Sequence, residues 1–222
     1  MIYTTGGIKG GCGKTTIAIN LAIFLSKTSD VLLVDADEQE TSTEFTELRE
    51  QIKGDEIGYT QVKLTGESVR NQIIKLAPKY DNVIIDTGGR DTTSQRAALS
   101  VSDVYLTPFN PRSFDVWTLE RVENLVSEIK IVRPNLKAFS FLNRADVKGA
   151  DNIDAATFLA QSEVIKYLPA PIINRKVFSN AASFGLGVIE FNKPTDEKAI
   201  LELKTLFEMI FENVLLNKVA QD

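Results

Sequence analysis

Residues 8–16 read IKGGCGKTT, and this stretch decides the fold. Gly10, Gly11 and Gly13 run into Lys14, Thr15 and Thr16. The run Ile2–Thr5 reads as a strand before them. Ile17, Leu21 and Leu25 then recur at helical spacing. In a strand, glycine-rich loop and helix set in that order, backbone N–H groups and a helix N-terminus converge on a phosphate. Glycine supplies the unusual dihedrals such a loop needs. The candidate nucleotide contacts are Gly10, Gly11, Cys12, Gly13, Lys14, Thr15 and Thr16. Lys14 would neutralise β- and γ-phosphate oxygens, Thr15 would offer its hydroxyl to Mg²⁺, and Thr16 would add a further hydroxyl. The usual pattern, G-x-x-x-x-G-K-[ST], requires glycine where Ile8 stands and has no use for the lysine at position 9. The loop is either a damaged site or a different device that needs two lysines.

Outward from the loop, short apolar runs alternate with helical patterns. The strand candidates are Ile2–Thr5, Val31–Asp35, Tyr59–Leu64, Val83–Asp86, Val104–Pro108, Ala138–Asn143 and Pro171–Ile173. The helix candidates are Lys14–Lys27, Thr43–Lys53 (polar and exposed), Ser68–Leu76, Thr92–Ser100, Val116–Val132, Ile153–Tyr167 and Thr195–Lys218, with a short turn near Lys176–Phe184. Near-continuous apolar strands are those of a parallel sheet covered on both faces. The expectation is a three-layer α/β P-loop NTPase fold, with a mostly parallel central sheet flanked by helices, as one domain over residues 1–222.

Composition narrows the chemistry. The 222 residues are 43% hydrophobic, enough for a core. There is no histidine, which excludes Ser-His-Asp catalysis and histidine-ligated metals. The one cysteine, Cys12, excludes a disulfide or a multi-cysteine cluster within the chain. No apolar run has the length of a membrane span, and no secretory signal opens the sequence, so a cytoplasmic location is expected. The net charge is −5, but residues 130–176 carry +4 and leave −9 for the remainder. That local excess would suit a basic face on an acidic protein, or would simply be scattered solvated side chains.

The octapeptide KGGCGKTT, Lys9 to Thr16, resembles the deviant Walker A motif K-G-G-x-G-K-[ST] of the ParA/MinD superfamily of ATPases. The resemblance extends from Ile2 to about Glu190 and is closest to the short plasmid partition proteins of the ParA/ParF type. It implies that Lys9 reaches across a nucleotide-sandwiched homodimer to the partner's phosphates, so that the catalytic set is Lys9, Lys14 and Asp37. VLLVDADEQE resembles the switch I motif, with Asp37 handling the attacking water and Asp35 a more structural residue near the metal. Glu38 stands where proline is usual, which puts the rigidity of this loop in question. VIIDTGG resembles Walker B and switch II, with Asp86 on Mg²⁺. The resemblance thus gives Thr15, Asp35 and Asp86 as the metal set. Asn143, after a later strand, resembles the asparagine that contacts adenine, with Arg144 flanking the base; a turn asparagine would look the same. A weaker match covers INRKVFSNAASFGLGVIE.

By the same resemblance, ATP and Mg²⁺ are the cofactors. The ATP-bound homodimer binds double-stranded DNA nonspecifically and becomes nucleoid-associated. The basic excess of residues 130–176 suits such binding, and its candidate contacts are Lys148, Lys166, Arg175 and Lys176. A ParB-like or other cargo-bound activator stimulates slow hydrolysis. Such a switch partitions DNA or positions cargo. Two other readings stay open: a small-molecule ligase or synthetase on the same fold, and a MinD-like ATPase recruited to membranes. Leu203, Leu206, Phe207, Ile210, Phe211, Val214 and Leu215 form an apolar stripe on the last helix, opposed by Glu202, Glu208 and Glu212. An acidic outer face reads as core packing, and no membrane partner is expected.

Overall fold

The computed structural model describes residues 1–111, 118–191 and 197–219, with side chains as far as 215. β1 (Ile2–Thr5) leads through the glycine loop into α1 (Lys14–Leu25). There follow β2 (Val31–Ala36), α2 (Thr41–Lys53), β3 (Thr60–Lys63), α3 (Ser68–Leu76), β4 (Asn82–Thr87) and α4 (Thr93–Leu99). Then come β5 (Val104–Phe109), α5 (Leu119–Val132), β6 (Lys137–Ala145) and α6 (Ala150–Leu159). β7 (Lys166–Tyr167), β8 (Ile172–Ile173), α7 (Lys176–Ala182) and α8 (Glu197–Val219) complete the order. The expected helix starts at Val116 and Thr195 lie outside the described residues.

The strands form one parallel sheet in the order β3-β2-β4-β1-β5-β6-β7, with β8 paired to β6. After β1 the chain builds one half of the sheet through β2, β3 and β4, then crosses β1 to build the other with β5 and β6. β1 is therefore where the strand order reverses, the position at which open α/β sheets bind ligands. Side chains alternate between two covered faces. Leu33 and Ile84 pack with α1 and α8, whereas Leu32, Val34, Val83 and Ile85 pack in the cluster that includes Val69 and Ile73 of α3. The same alternation aims Asp35 and Asp86 towards the α1 face, and strand register sets Thr5, Asp86 and Asp35 side by side.

Two expectations need correction. The helix expected over Ile153–Tyr167 ends at Leu159, and Lys166–Tyr167 is instead an edge strand on β6. Ile165 and Leu168, both buried, anchor that strand and explain the apolar signal. The polar helix α2 is also not simply exposed: Ser42, Phe45, Thr46 and Arg49 are buried. The stripe on α8 does pack into the core through Leu203, Leu206, Phe207, Ile210 and Val214, although Leu215 is 60% exposed. Among the described residues, no helix is long and apolar enough to cross a membrane.

Candidate nucleotide site

The C-terminal ends of β1, β2 and β4 surround a cleft of about 690 Å³. Gly10, Gly11, Gly13, Lys14, Thr15 and Thr16 line one wall, Ala36 to Gln39 a second, and Gly88 to Arg90 a third. Gly13 caps α1 with φ 91°, a left-handed conformation that favours glycine. A side chain there would also meet Asn143 Nδ2 at 2.1 Å. Lys14, only 6% exposed, lines the cleft, and its Nζ donates to the Lys9 carbonyl at 3.1 Å. Lys9 does not line the cleft and sits beside Ile8, Cys12 and Phe109 around a crevice of about 10 Å³. The two lysines of the motif are thus placed on different sides of one loop.

Asp86 is fully buried and accepts from Thr5 Oγ1 at 3.2 Å through Oδ1. Its Oδ2 has no hydrogen-bond partner. Burial pushes its pKa up to about 7, opposed by the Thr15 hydroxyl and the Lys14 ammonium and reinforced by Asp35. A buried carboxylate with an unsatisfied oxygen, beside a hydroxyl on the phosphate loop, fits a hard cation. No cluster of three acidic or sulfur ligands occurs among the described residues. Mg²⁺ does not require one, because it takes one or two protein oxygens together with phosphate and water.

Asp35 is occupied differently. Its Oδ2 accepts from the Thr43 N–H at 2.8 Å and the Thr43 hydroxyl at 2.7 Å, and its Oδ1 accepts from the Asp37 N–H at 3.1 Å. Those bonds hold the start of α2 against the end of β2. They also answer the question raised by Glu38. The loop is fastened by hydrogen bonds, including Gln39 N–H to Asp37 Oδ1 at 3.2 Å and Glu40 N–H to the Asp37 carbonyl at 3.2 Å. Asp37 lines the cleft against Gly88, where an added Cβ would stand 2.9 Å from its Oδ1.

Asn143 is 4% exposed and donates from Nδ2 to the Cys12 carbonyl at 2.7 Å. It braces the phosphate loop and does not line the cleft. Arg144 does line it: an irregularity in the β6–β8 register falls between Asn143 and Ala145, and Arg144 turns outward there with φ 54°. A bulge of this kind re-aims one side chain beside a site. Sequence reasoning gave no place to Arg90, which also lines the cleft, or to Gln95, buried behind it. Arg90 directly follows the VIIDTGG stretch, which is the signal in the sequence for its place on the cleft wall.

The basic positions are dispersed in their contacts. Arg175 is paired with Glu202 at 2.6 Å, Lys166 donates to Asn213 Oδ1, and Arg133 pairs with Asp103 at 2.6 Å. Lys148 and Lys176 are exposed. The +4 of residues 130–176 is therefore partly spent inside the chain.

Fold, loop and cleft together define a P-loop nucleotide-binding protein. The CobQ/CobB/MinD/ParA nucleotide-binding domain matches residues 3–222, and the chain belongs to that family. The maintenance of carboxysome distribution protein A of Halothiobacillus neapolitanus is 27% identical over 190 residues, covering 82% of this chain and 84% of that one. A putative plasmid partition protein from Borrelia burgdorferi bound to AMPPNP superposes with TM-score 0.77 at 21% identity, covering 96% and 98% of the two chains. An ATP complex of a McdA variant from Cyanothece superposes with TM-score 0.76 at 19% identity, covering 92% and 95%.

Proposed function

We propose that the chain is an ATP-dependent dimerising switch that positions cargo or partitions DNA. The observation that carries this is the separation of Lys14, inside the cleft, from Lys9, outside it. Lys14, the loop N–H groups and the N-terminus of α1 would hold the chain's own triphosphate. Asp37 would orient the attacking water from the facing wall. Thr15 and Asp86 would hold Mg²⁺, which supplies charge neutralisation on the β- and γ-phosphates. Arg144 would flank the base, and Asn143 would act through the loop it braces. Lys9 would serve the partner's nucleotide, which makes the γ-phosphate a signal for dimerisation.

The roles named for the relatives, carboxysome distribution and plasmid partition, support a carrier of this type, and a cargo-bound activator would stimulate its hydrolysis. DNA contact would fall first on Lys148 and Lys176, because Arg175 and Lys166 would have to leave partners within the chain. Nucleotide-dependent mass tests the reading. With ATP and Mg²⁺ under slow-turnover conditions, light scattering should report twice the mass seen with ADP. A single mass in both conditions would sink the sandwich mechanism.

A further inference from the structure

Gln95 lies in the first turns of α4 and is fully buried. Its backbone N–H is capped by Thr92 Oγ1 at 3.2 Å, which fixes where the side chain starts. The amide orientation that satisfies both of its ends has Nε2 donating to the Gly7 carbonyl at 3.0 Å and to the Gly88 carbonyl at 3.2 Å. In the opposite orientation Oε1 accepts from the Gly7 N–H at 3.4 Å and faces Thr87 Oγ1, at the end of β4, at 3.3 Å. In the satisfied orientation one buried amide bridges the start of the phosphate loop to the loop that follows β4, and in the other it bridges the same start to the end of β4.

Those two segments touch at three further points. Thr87 Oγ1 donates to the Thr5 carbonyl at 2.8 Å. Gly6 has no room for a side chain, since an added Cβ would stand 2.7 Å from the Tyr105 ring and 2.8 Å from Thr87 Oγ1. Gly89 rests on the outer half of the phosphate loop, where a Cβ would lie 2.6 Å from the Gly10 nitrogen and 2.8 Å from the Lys9 carbonyl carbon. Gly88, bonded to Gln95, also backs the Asp37 carboxylate. A shift of Gly88 therefore reaches Asp37 directly, Gly7 through Gln95, and Lys9–Gly10 through Gly89.

We propose that Gln95 is a positioning residue that ties the loop after β4 to the Lys9 half of the phosphate loop, so that a γ-phosphate sensed at Gly88–Gly89 resets Lys9. This rests on the ATP-switch reading of the cleft and adds the element that transmits the signal. A hydrocarbon of similar length at this position keeps the volume and loses the bridge, whereas the cleft lining is left intact.

The test uses the full chain and Gln95→Met, with Gln95→Leu as the second variant because it loses the same bridge with a differently branched hydrocarbon and, like Gln95→Met, leaves the cleft lining untouched. Fluorescent ATP and ADP analogues give affinities, and hydrogen exchange of a peptide covering residues 6–16 compares the ATP and ADP states. The wild type should show an exchange difference between the two nucleotides. Both variants should bind ATP within about threefold of wild type, show little or no such difference, and lose roughly tenfold or more in kcat with KM nearly unchanged. A variant that folds and keeps the wild-type exchange difference and kcat overturns the role of Gln95. So does a loss of ATP affinity in proportion to kcat, which would mean general damage to the cleft. If Gln95→Met does not fold, Gln95→Leu decides. Failure of the wild type to bind ATP would instead overturn the nucleotide reading itself, and the inference with it.

Discussion

At the scale of single residues, the two lysines of one loop should separate by phenotype. Lys14 is buried in the cleft and bonded to the loop backbone, so Lys14→Ala should lower ATP affinity tenfold or more in a direct binding assay. Lys9→Ala should leave affinity within about threefold and reduce both ATP-dependent dimerisation and turnover. Equal dimerisation and turnover in Lys9→Ala would remove its assigned role. Asp86 should show a trade between stability and activity. Its Oδ2 is buried without a partner, and burial holds its pKa up near 7. Without nucleotide or metal, Asp86→Asn should therefore raise the melting temperature by roughly 2–8 °C, the shift that a gain of about 1–2 kcal/mol gives in a chain of this size. It should also abolish Mg²⁺-stimulated turnover. A lower melting temperature would show that the ionised carboxylate is stabilising. Lys14 and Asp86 announce themselves in sequence because a glycine loop and a strand ending in a carboxylate are local patterns. Gln95 and the bracing bond of Asn143 do not, because their partners lie 88 and 131 residues away along the chain.

Among the elements, α2 shows how a loop of the cleft is held from behind. Its first turn is tied to Asp35, and its far end to the C-terminal half of the chain. The Arg49 guanidinium, 2% exposed, donates to the carbonyls of Ile57 and Gly185 at 2.8 Å each and grips Glu190 at 2.7 and 2.8 Å. Lys53 adds a bond to Glu190 at 2.7 Å. Reading α2 as an exposed polar helix missed this, because a buried arginine has the same letter as a solvated one until its partner is placed. The reading of Ile153–Tyr167 as one helix failed for a related reason: Ile165 continues an apolar pattern but serves a different element. Burial raises the Glu190 pKa, but Arg49, Lys53 and the Gly187 N–H outweigh it and hold the carboxyl at about 2, below the ordinary 4.5. A depressed carboxyl stabilises the fold fully above about pH 4.5 and loses that contribution as pH falls towards 2. Glu190→Ala leaves Arg49 buried without its counter-charge and should cost roughly 3 kcal/mol or more near neutral pH. The stability gap between wild type and variant, read by urea denaturation, should narrow as pH drops through that window. A gap constant from pH 7 to 3 would show that the pair contributes nothing through its charge.

On the scale of the whole molecule, the sheet order explains why residues far apart in sequence meet. The reversal at β1 puts the phosphate loop at the centre, with the ends of β4 and β2 next to it on one side. Alternation of strands and helices made that architecture legible, since each apolar run was long enough to be read alone. The surface was less legible, because charge counted along residues 130–176 ignores which groups are already paired within the chain. Two exposed lysines on one chain are a weak site for duplex DNA, but the proposed dimer would double them and would bring every phosphate contact of both chains into one encounter. DNA binding should therefore depend on ATP and on salt together. Co-sedimentation with duplex DNA should appear with ATP and not with ADP, and should fall about tenfold or more between 50 and 200 mM salt. Replacing Lys148 and Lys176 with glutamine should flatten that salt dependence while ATP-dependent mass is unchanged. Liposomes of anionic lipid should not sediment the chain, because the outer face of α8 carries Glu208 and Glu212, both exposed. Binding to liposomes and not to DNA in the ATP state would transfer the chain to the membrane-recruited branch of its family. DNA binding that is indifferent to nucleotide would leave the dimer without its proposed purpose.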